Sequence, residues 1–308
     1  MNYFDKFKNK FFFQTQNQLL KKKLIKELLP NKKINYNFFY DKLQNYENEF
    51  LHKYLYYVLP LCLENFQIKN NNFPRILDLG CGFAPMCLAA KIYRDNWENI
   101  TKKKNSDKPI CSYVGIDIRK DAIEYNKTKY YKYPENYFLF HDANENIDYI
   151  GDFKKFSNKA SLEKATNYSS NGQETNYKIP FDYLADIQWS SSVITHMTPE
   201  AFSNFLKFIS QTISTDGVSI NTCHIIDPES LYLMNAGLSD RYLKYDFGYF
   251  LTYSKKNPLL NTAYKIHHIY ELYEKNGLKI TNIIKGSWRN VKKKQEGIDQ
   301  DIIIAKKI

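Results

Sequence analysis

The chain has 308 residues, 43% hydrophobic and 25% charged, enough to bury a full-sized core as one large domain or as one domain with an appendage. No apolar run approaches the ~18 residues that cross a bilayer, and the start, MNYFDKFKNKFFFQTQ, lacks the apolar stretch and cleavage site of a secretory leader. The formal charge of +11 would suit nucleic acid, but the lysines are spread along the chain and the wealth of Lys, Asn, Ile, Tyr and Phe fits an AT-rich coding bias, so the charge is read as background.

Residues 1–72 read as a helical extension. LLKKKLIKELL (19–29) has apolar residues at helical spacing and stops at Pro30, and EFLHKYLYYVLPLCLENF (49–66) is a second amphipathic segment that Pro60 kinks or divides. From residue 73 strands alternate with helices. RILDL (75–79) leads through a small-residue turn to the helix PMCLAAKIY (85–93). SYVGID (112–117) leads to RKDAIEYNKTKY (119–130), and YFLFHD (137–142) follows. DYLADIQWS (182–190) precedes a helix that starts at Thr198-Pro199-Glu200, with a threonine cap, proline in the first position and an acid in the first turn. Asp216-Gly217 turns into VSINTCH (218–224). A helix (267–277), a strand (278–284) and a last strand (301–307) close the chain, the final pair as an antiparallel hairpin at the edge. Alternation of this kind predicts a parallel sheet covered on both faces.

Residues 94–111 read as a polar insertion, 143–180 as a mobile insertion rich in Ser, Asn and Lys, and 225–266 as a cap over the substrate. The five cysteines, Cys62, Cys81, Cys87, Cys111 and Cys223, form no CxxC pair, as expected of free thiols in a reducing cytoplasm.

RILDLGCGFAPM raises a chemical question, because Asp78 lies two residues before the first glycine of a turn that ordinarily holds phosphate. Dinucleotide folds use GxGxxG there, with pyrophosphate on the helix N-terminus. Gly80 and Gly82 match, but Pro85 stands at the third glycine and Asp78 would repel a pyrophosphate. S-adenosylmethionine has no phosphate, and its amino-acid end carries an ammonium that a carboxylate attracts. Gly80 and Gly82 let the backbone approach such a cofactor closely.

These residues resemble the class I S-adenosylmethionine-dependent methyltransferases. Asp78-Leu79-Gly80-Cys81-Gly82-Phe83-Ala84 is similar to the family's first motif, with Ala84 in place of its last glycine. The resemblance implies a Rossmann-like α/β methyltransferase fold over 73–308, with a mostly parallel seven-stranded sheet and an antiparallel edge strand. It also implies that Asp117 takes the ribose hydroxyls, that Ile118 lies against the adenine, and that Asp142 meets the adenine amine with Ala143 contributing backbone. ADIQWSSSVITHM would be the fourth motif, with Asp186 in the strand and Trp189, Ser190 and Ser191 at its mouth, although Trp189 equally suits core packing.

An alcohol acceptor must lose a proton, so a histidine base is sought among His196, His224, His267 and His268. His224, after the fifth strand, and His196, before a helix, are the two candidates. Asp227 could orient His224 or the substrate, and no carboxylate cluster has metal-ligand spacing. WSSSVITHM, GSWRN (286–290) and QDIIIAKK (300–307) are similar to methyltransferases of bacterial surface-polysaccharide gene clusters. The resemblance implies O-methylation of a sugar, sugar nucleotide or cell-surface glycan precursor in the cytoplasm, with a homo-oligomer through the N-terminal helices as a possibility. Two rivals are kept. An RNA methyltransferase suits the charge, although DIQW is not the N/D-P-P-Y/F of amino-methylating nucleic-acid enzymes. The other is a non-catalytic partner subunit of the same fold.

Overall fold

β1 (Ile76–Leu79) and β2 (Tyr113–Asp117) are buried at every residue, the two aspartates included. Strands lose their polar face in this way when helices cover both sides of a parallel sheet. The computed structural model describes residues 51, 53–66, 73–95, 113–130, 136–140, 183–290 and 299–308. The expected helix at 19–29, nearly all of the insertion at 94–111, the insertion at 143–180, and Asp142 and Ala143 fall outside those residues.

Two compact units divide the chain, Met1–Pro60 and Leu61–Ile308. In the first, Tyr54–Val58 form a π-helical turn. α1 (Leu59–Asn65) spans the boundary, with Pro60 in its first turn.

In the second unit β1 pairs in parallel with β2 on one side and with β4 (Ala185–Ser190) on the other. β3 (Asn136–Phe140) continues outward from β2, and β5 (Ile213–Ile226) from β4, again in parallel. α2 (Pro85–Asp95) follows β1, α3 (Lys120–Lys129) follows β2, and α4 (Pro199–Thr212) follows β4. The α4 start is as its sequence specifies: Thr198 Oγ1 accepts the Ala201 N–H at 3.2 Å and Pro199 opens the first turn. The Asp216-Gly217 turn lies inside β5 rather than before it. Ala185 opposes Ile213 while Ile187 opposes Val218, so the residues between bulge out of the ladder.

Beyond this bulge β5 serves two sheets. α5 (Pro228–Asn235) follows it, and then come the short strands β6 (Tyr245–Asp246), β7 (Phe250–Thr252) and β8 (Thr262–Lys265). Only the last residues of β5 reach them, with His224 opposite Ala263 and Ile226 opposite Lys265 in parallel. The segment read as a cap at 225–266 therefore contains a small antiparallel sheet, which the sequence reading did not anticipate. α6 (Ile266–Lys275) and β9 (Leu278–Ile284) lead to β10 (Asp301–Lys307), which runs antiparallel between β5 and β9. The principal sheet is thus β3-β2-β1-β4-β5-β10-β9, seven strands in a Rossmann-like order, and the antiparallel pair closes one edge with β9 outermost.

Side chains alternate between the faces of a strand. The registers put Leu77, Leu79, Gln188, Ser190, Ser219 and Asn221 on one face, and Asp78, Tyr113, Asp117, Trp189, Thr222 and His224 on the other. The first face carries the main core, with Phe202, Phe205, Leu206 and Ile209 of α4 and Ile269 and Tyr273 of α6.

Candidate active site

Strand order reverses at β1 and β4, the place where open α/β sheets bind ligands beyond their carboxyl ends. The turn after β1 is wound left-handed at alternate residues: φ is 75° at Gly80, 51° at Gly82 and 53° at Ala84. The backbone N–H groups of Gly80 and Cys81 both donate to Ile116 O, at 2.8 and 3.1 Å, tying the turn to the end of β2. A Cβ on Gly80 would collide with Val193 Cγ2, so a side chain there would force Val193 to shift.

Gly82 is held at both polar atoms. Its N–H donates to Asp117 Oδ2 at 2.7 Å, and its carbonyl accepts from Asn126 Nδ2 at 2.7 Å. Asp117 Oδ1 also accepts the Arg119 N–H at 2.8 Å. Burial pushes the Asp117 carboxyl up, and the N–H groups of Gly82 and Arg119 only partly restore it. Asp78 is 2% exposed. Its Oδ2 accepts from Tyr113 Oη at 2.6 Å. Burial raises Asp78 to about 7, opposed by the tyrosine hydrogen bond and assisted by the charge of Asp117. Among the described residues no basic side chain pairs with Asp78.

Cys81 is buried within the turn, and Ile118 is half-buried at the bend beyond Asp117. Trp189 is a fully buried core side chain opposite Asp78 in the sheet. Ser190 lies on the other face, where its hydroxyl donates to Asn221 Oδ1 at 2.6 Å within a buried network of Gln188, Ser219, Asn221 and Tyr273. Asp186 is engaged at the amino end of β4, remote from a strand mouth. It takes the Arg75 backbone N–H at 2.9 Å and its guanidinium at 3.1 and 3.2 Å.

The two histidines have different surroundings. His196 Nδ1 lies 3.0 Å from Leu259 O, and since a carbonyl only accepts, Nδ1 carries the proton. This bond ties the loop after β4 to the turn before β8, while burial lowers the basicity of His196. His224 is 1% exposed, and neither ring nitrogen has a hydrogen-bond partner among the described residues. The ring packs edge-on against Trp288 with centroids 5.0 Å apart. Burial first, and then the charge of Arg241, lower His224 to about 4; the charge of Asp299 and a side-chain hydrogen bond with Asn261, outside strict hydrogen-bond geometry, act in the opposite sense.

Asp227 does not orient His224. It caps α5 through the Ser230 N–H at 2.8 Å and receives Arg289 Nη1 at 2.7 Å. Burial raises its pKa, but the Ser230 N–H and Arg289 outweigh this and leave it below the usual carboxylate range. Arg289 Nε also donates to the fully buried Asp301 at 2.6 Å. Asp301 takes in addition Trp288 Nε1 at 2.9 Å, Ile225 N at 2.8 Å and Gly286 N at 2.8 Å. Asp301 thus fixes Trp288 of GSWRN, whose ring packs against His224. Among the described residues no three His, Cys, Asp or Glu side chains gather in a way that could hold a metal ion.

No family model matches the chain. Among solved structures it is similar to an S-adenosylmethionine-dependent methyltransferase from Clostridium acetobutylicum, at 13% identity over 87% of this chain and 98% of that one, with a TM-score of 0.46. It is also similar to magnesium protoporphyrin IX methyltransferase from Synechocystis with bound S-adenosylhomocysteine, at 12% identity over 90% of each chain, with a TM-score of 0.45.

Proposed function

We propose that the chain is an S-adenosylmethionine-dependent methyltransferase acting on a hydroxyl of a sugar, sugar nucleotide or cell-surface glycan precursor. One observation carries the reading: the left-handed turn beyond β1 is flanked by two buried carboxylates, Asp78 and Asp117, with no cation set against Asp78 among the described residues. A diphosphate would meet negative charge there. An ammonium would relieve the burial that holds Asp78 near neutrality.

The remaining residues fit such a cofactor. Each Asp117 oxygen accepts one backbone N–H, and a carboxylate offers about four lone-pair sites, so capacity remains for ribose hydroxyls. Ile118 stands at the bend where an adenine would lie, and Asp142 and Ala143 retain the adenine roles that the family resemblance implies. S-adenosylmethionine, when bound, supplies a methyl group on a sulfonium for in-line displacement. His224 is neutral at physiological pH and so can accept the acceptor's hydroxyl proton; Asp299 offsets part of its weak basicity. A base in this role contributes ~10²–10⁴-fold. His196, engaged with Leu259, positions the loop, and residues 225–266 cover the acceptor.

Calorimetry tests the donor half. S-adenosylmethionine should bind, and Asp78→Asn should weaken it with the fold intact; absence of binding to the wild type defeats the proposal. His224→Ala should lower turnover at least ~100-fold with cofactor affinity retained. Methylation of RNA is a second reading that the +11 charge favours. It requires retention on bulk RNA that falls steeply with salt. A labelled-methyl screen across sugar nucleotides, glycan extracts and RNA decides between the two.

A further inference from the structure

We infer that Tyr113 is a positioning residue of the cofactor site: its hydroxyl holds one oxygen of Asp78 and leaves the other to the ammonium of the cofactor's amino-acid end. The inference rests on the methyltransferase reading for the identity of the cofactor, and adds a residue that the first motif does not contain. The path of the ring is set by the backbone. Tyr113, Gly115 and Asp117 alternate onto the face of β2 that carries Asp78 on β1, and Asp78 lies opposite Gly115. A Cβ at Gly115 would stand 3.0 Å from Tyr113 Cε1, 3.0 Å from Cys81 Sγ and 3.1 Å from Phe138 Cδ1. Glycine leaves that space to the phenol, whose Oη reaches Asp78 Oδ2 at 2.6 Å. Phe138 of β3 backs the ring with centroids 5.8 Å apart, and Tyr130 stacks on Phe138 at 5.5 Å. Tyr130 Oη donates in turn to Ala84 O at 3.4 Å, so one aromatic row braces both the acid and the glycine turn.

A carboxylate buried against a single hydroxyl is poorly compensated. Its other oxygen, Oδ1, has no hydrogen-bond partner among the described residues, yet it is not sealed from solvent. That is the atom an ammonium can meet. The titratable groups set around Asp78 are Tyr113 and Asp117 of β2, Cys62 of α1 and Cys81 of the turn, with Cys87 of α2 acting on Tyr113 and Cys81. Burial pushes Cys62, Cys81 and Tyr113 up, so these three are neutral. The charge of Asp117 opposes ionisation of Asp78, and among these groups Tyr113 alone favours it. An ammonium binds the ionised acid, so binding below neutrality must expel the Asp78 proton and affinity rises with pH. Without the hydroxyl the acid gives up its proton at higher pH.

Calorimetry of the full chain tests this with two ligands: S-adenosylhomocysteine, which carries the amino-acid end, and methylthioadenosine, which lacks it. In the wild type, affinity for the first should rise about tenfold from about pH 6 to about pH 8, while affinity for the second stays flat. Tyr113→Phe should weaken S-adenosylhomocysteine about tenfold at about pH 6.5, and the deficit should shrink below about threefold by about pH 8.5. Methylthioadenosine should bind this variant as it binds the wild type. A hydroxyl with a merely structural role would weaken both ligands alike at every pH; that outcome, or an unchanged affinity, overturns the inference. Gly115→Ala, which crowds the ring aside, repeats the measurement should the phenylalanine variant not fold. A wild-type S-adenosylhomocysteine profile flat with pH overturns it without any variant. Absence of binding by either ligand sinks the methyltransferase reading as well, whereas binding of both with flat profiles sinks the inference alone.

Discussion

Ala84 adopts φ 53° where the resemblance places a third glycine. A left-handed conformation costs an L-residue about 1–2 kcal/mol, and glycine gives back ~0.5–1 kcal/mol through its freer unfolded chain. Ala84→Gly should therefore stabilise the protein by up to about 1 kcal/mol, seen as a higher urea midpoint at unchanged slope. A lower midpoint would mean that the buried Ala84 methyl outweighs the backbone strain. At the same turn, Asp117→Ala should lower S-adenosylmethionine affinity about 10- to 150-fold, the loss of charge-assisted hydrogen bonds worth ~1.5–3 kcal/mol. Because Asp117 also holds the Gly82 N–H, Asn126→Ala is the matched control: it frees the other side of Gly82 and touches no proposed ribose contact. Equal losses in the two variants would assign the effect to the turn alone. Asp117 was legible as an acid closing an apolar strand. Asn126 was not, since its partner lies 44 residues away and its only trace is an amide on the buried stripe Ala122, Ile123, Asn126.

Among the elements, β10 begins with the most heavily bonded side chain of the candidate site. Asp301 accepts from Ile225 N, Gly286 N, Trp288 Nε1 and Arg289 Nε. Asp301→Leu should cost about 3–5 kcal/mol in denaturant unfolding, because Arg289 keeps a buried charge with one partner fewer. A loss within experimental error would show that Asp227 alone suffices for Arg289. The long elements could be read from periodicity, and α4 from its Thr-Pro-Glu start. The strands β6–β8 are two to four residues long, too short to display a period of two, so the small sheet had no signature. Asp227 was considered as a group that could orient His224 or the substrate, and Asp186 as the strand acid of the fourth motif; their structural roles are set by their partners, Arg289 and Arg75, which lie far away in sequence.

For the whole molecule, His224 and Asp78 oppose one another in pH. The folded value of His224 is about 4, against an ordinary 6.5. Between these values the unfolded chain holds more protons, so this group's contribution to stability rises with pH and is lost as pH falls through the window. Asp78 sits at about 7 against 3.8, the folded chain then holds more protons, and its contribution falls as pH rises. The slopes oppose each other between roughly pH 4 and 6.5. His224→Phe should remove the rising limb and Asp78→Asn the falling one. Relative to wild type, the change in stability from pH 4 to 7 should shift by ~3 kcal/mol downward in the first variant and ~4 kcal/mol upward in the second. Urea unfolding at several pH values checks this, and curves parallel to wild type would refute both assignments. Finally, among the described residues β5 is the strand common to both sheets, with the glycine turn on one side and residues 227–261 looping out past its end. A chimaera that exchanges 227–261 for another sequence of similar length, spliced at Ile226 and Thr262, should keep its methyl donor while taking on a new clientele.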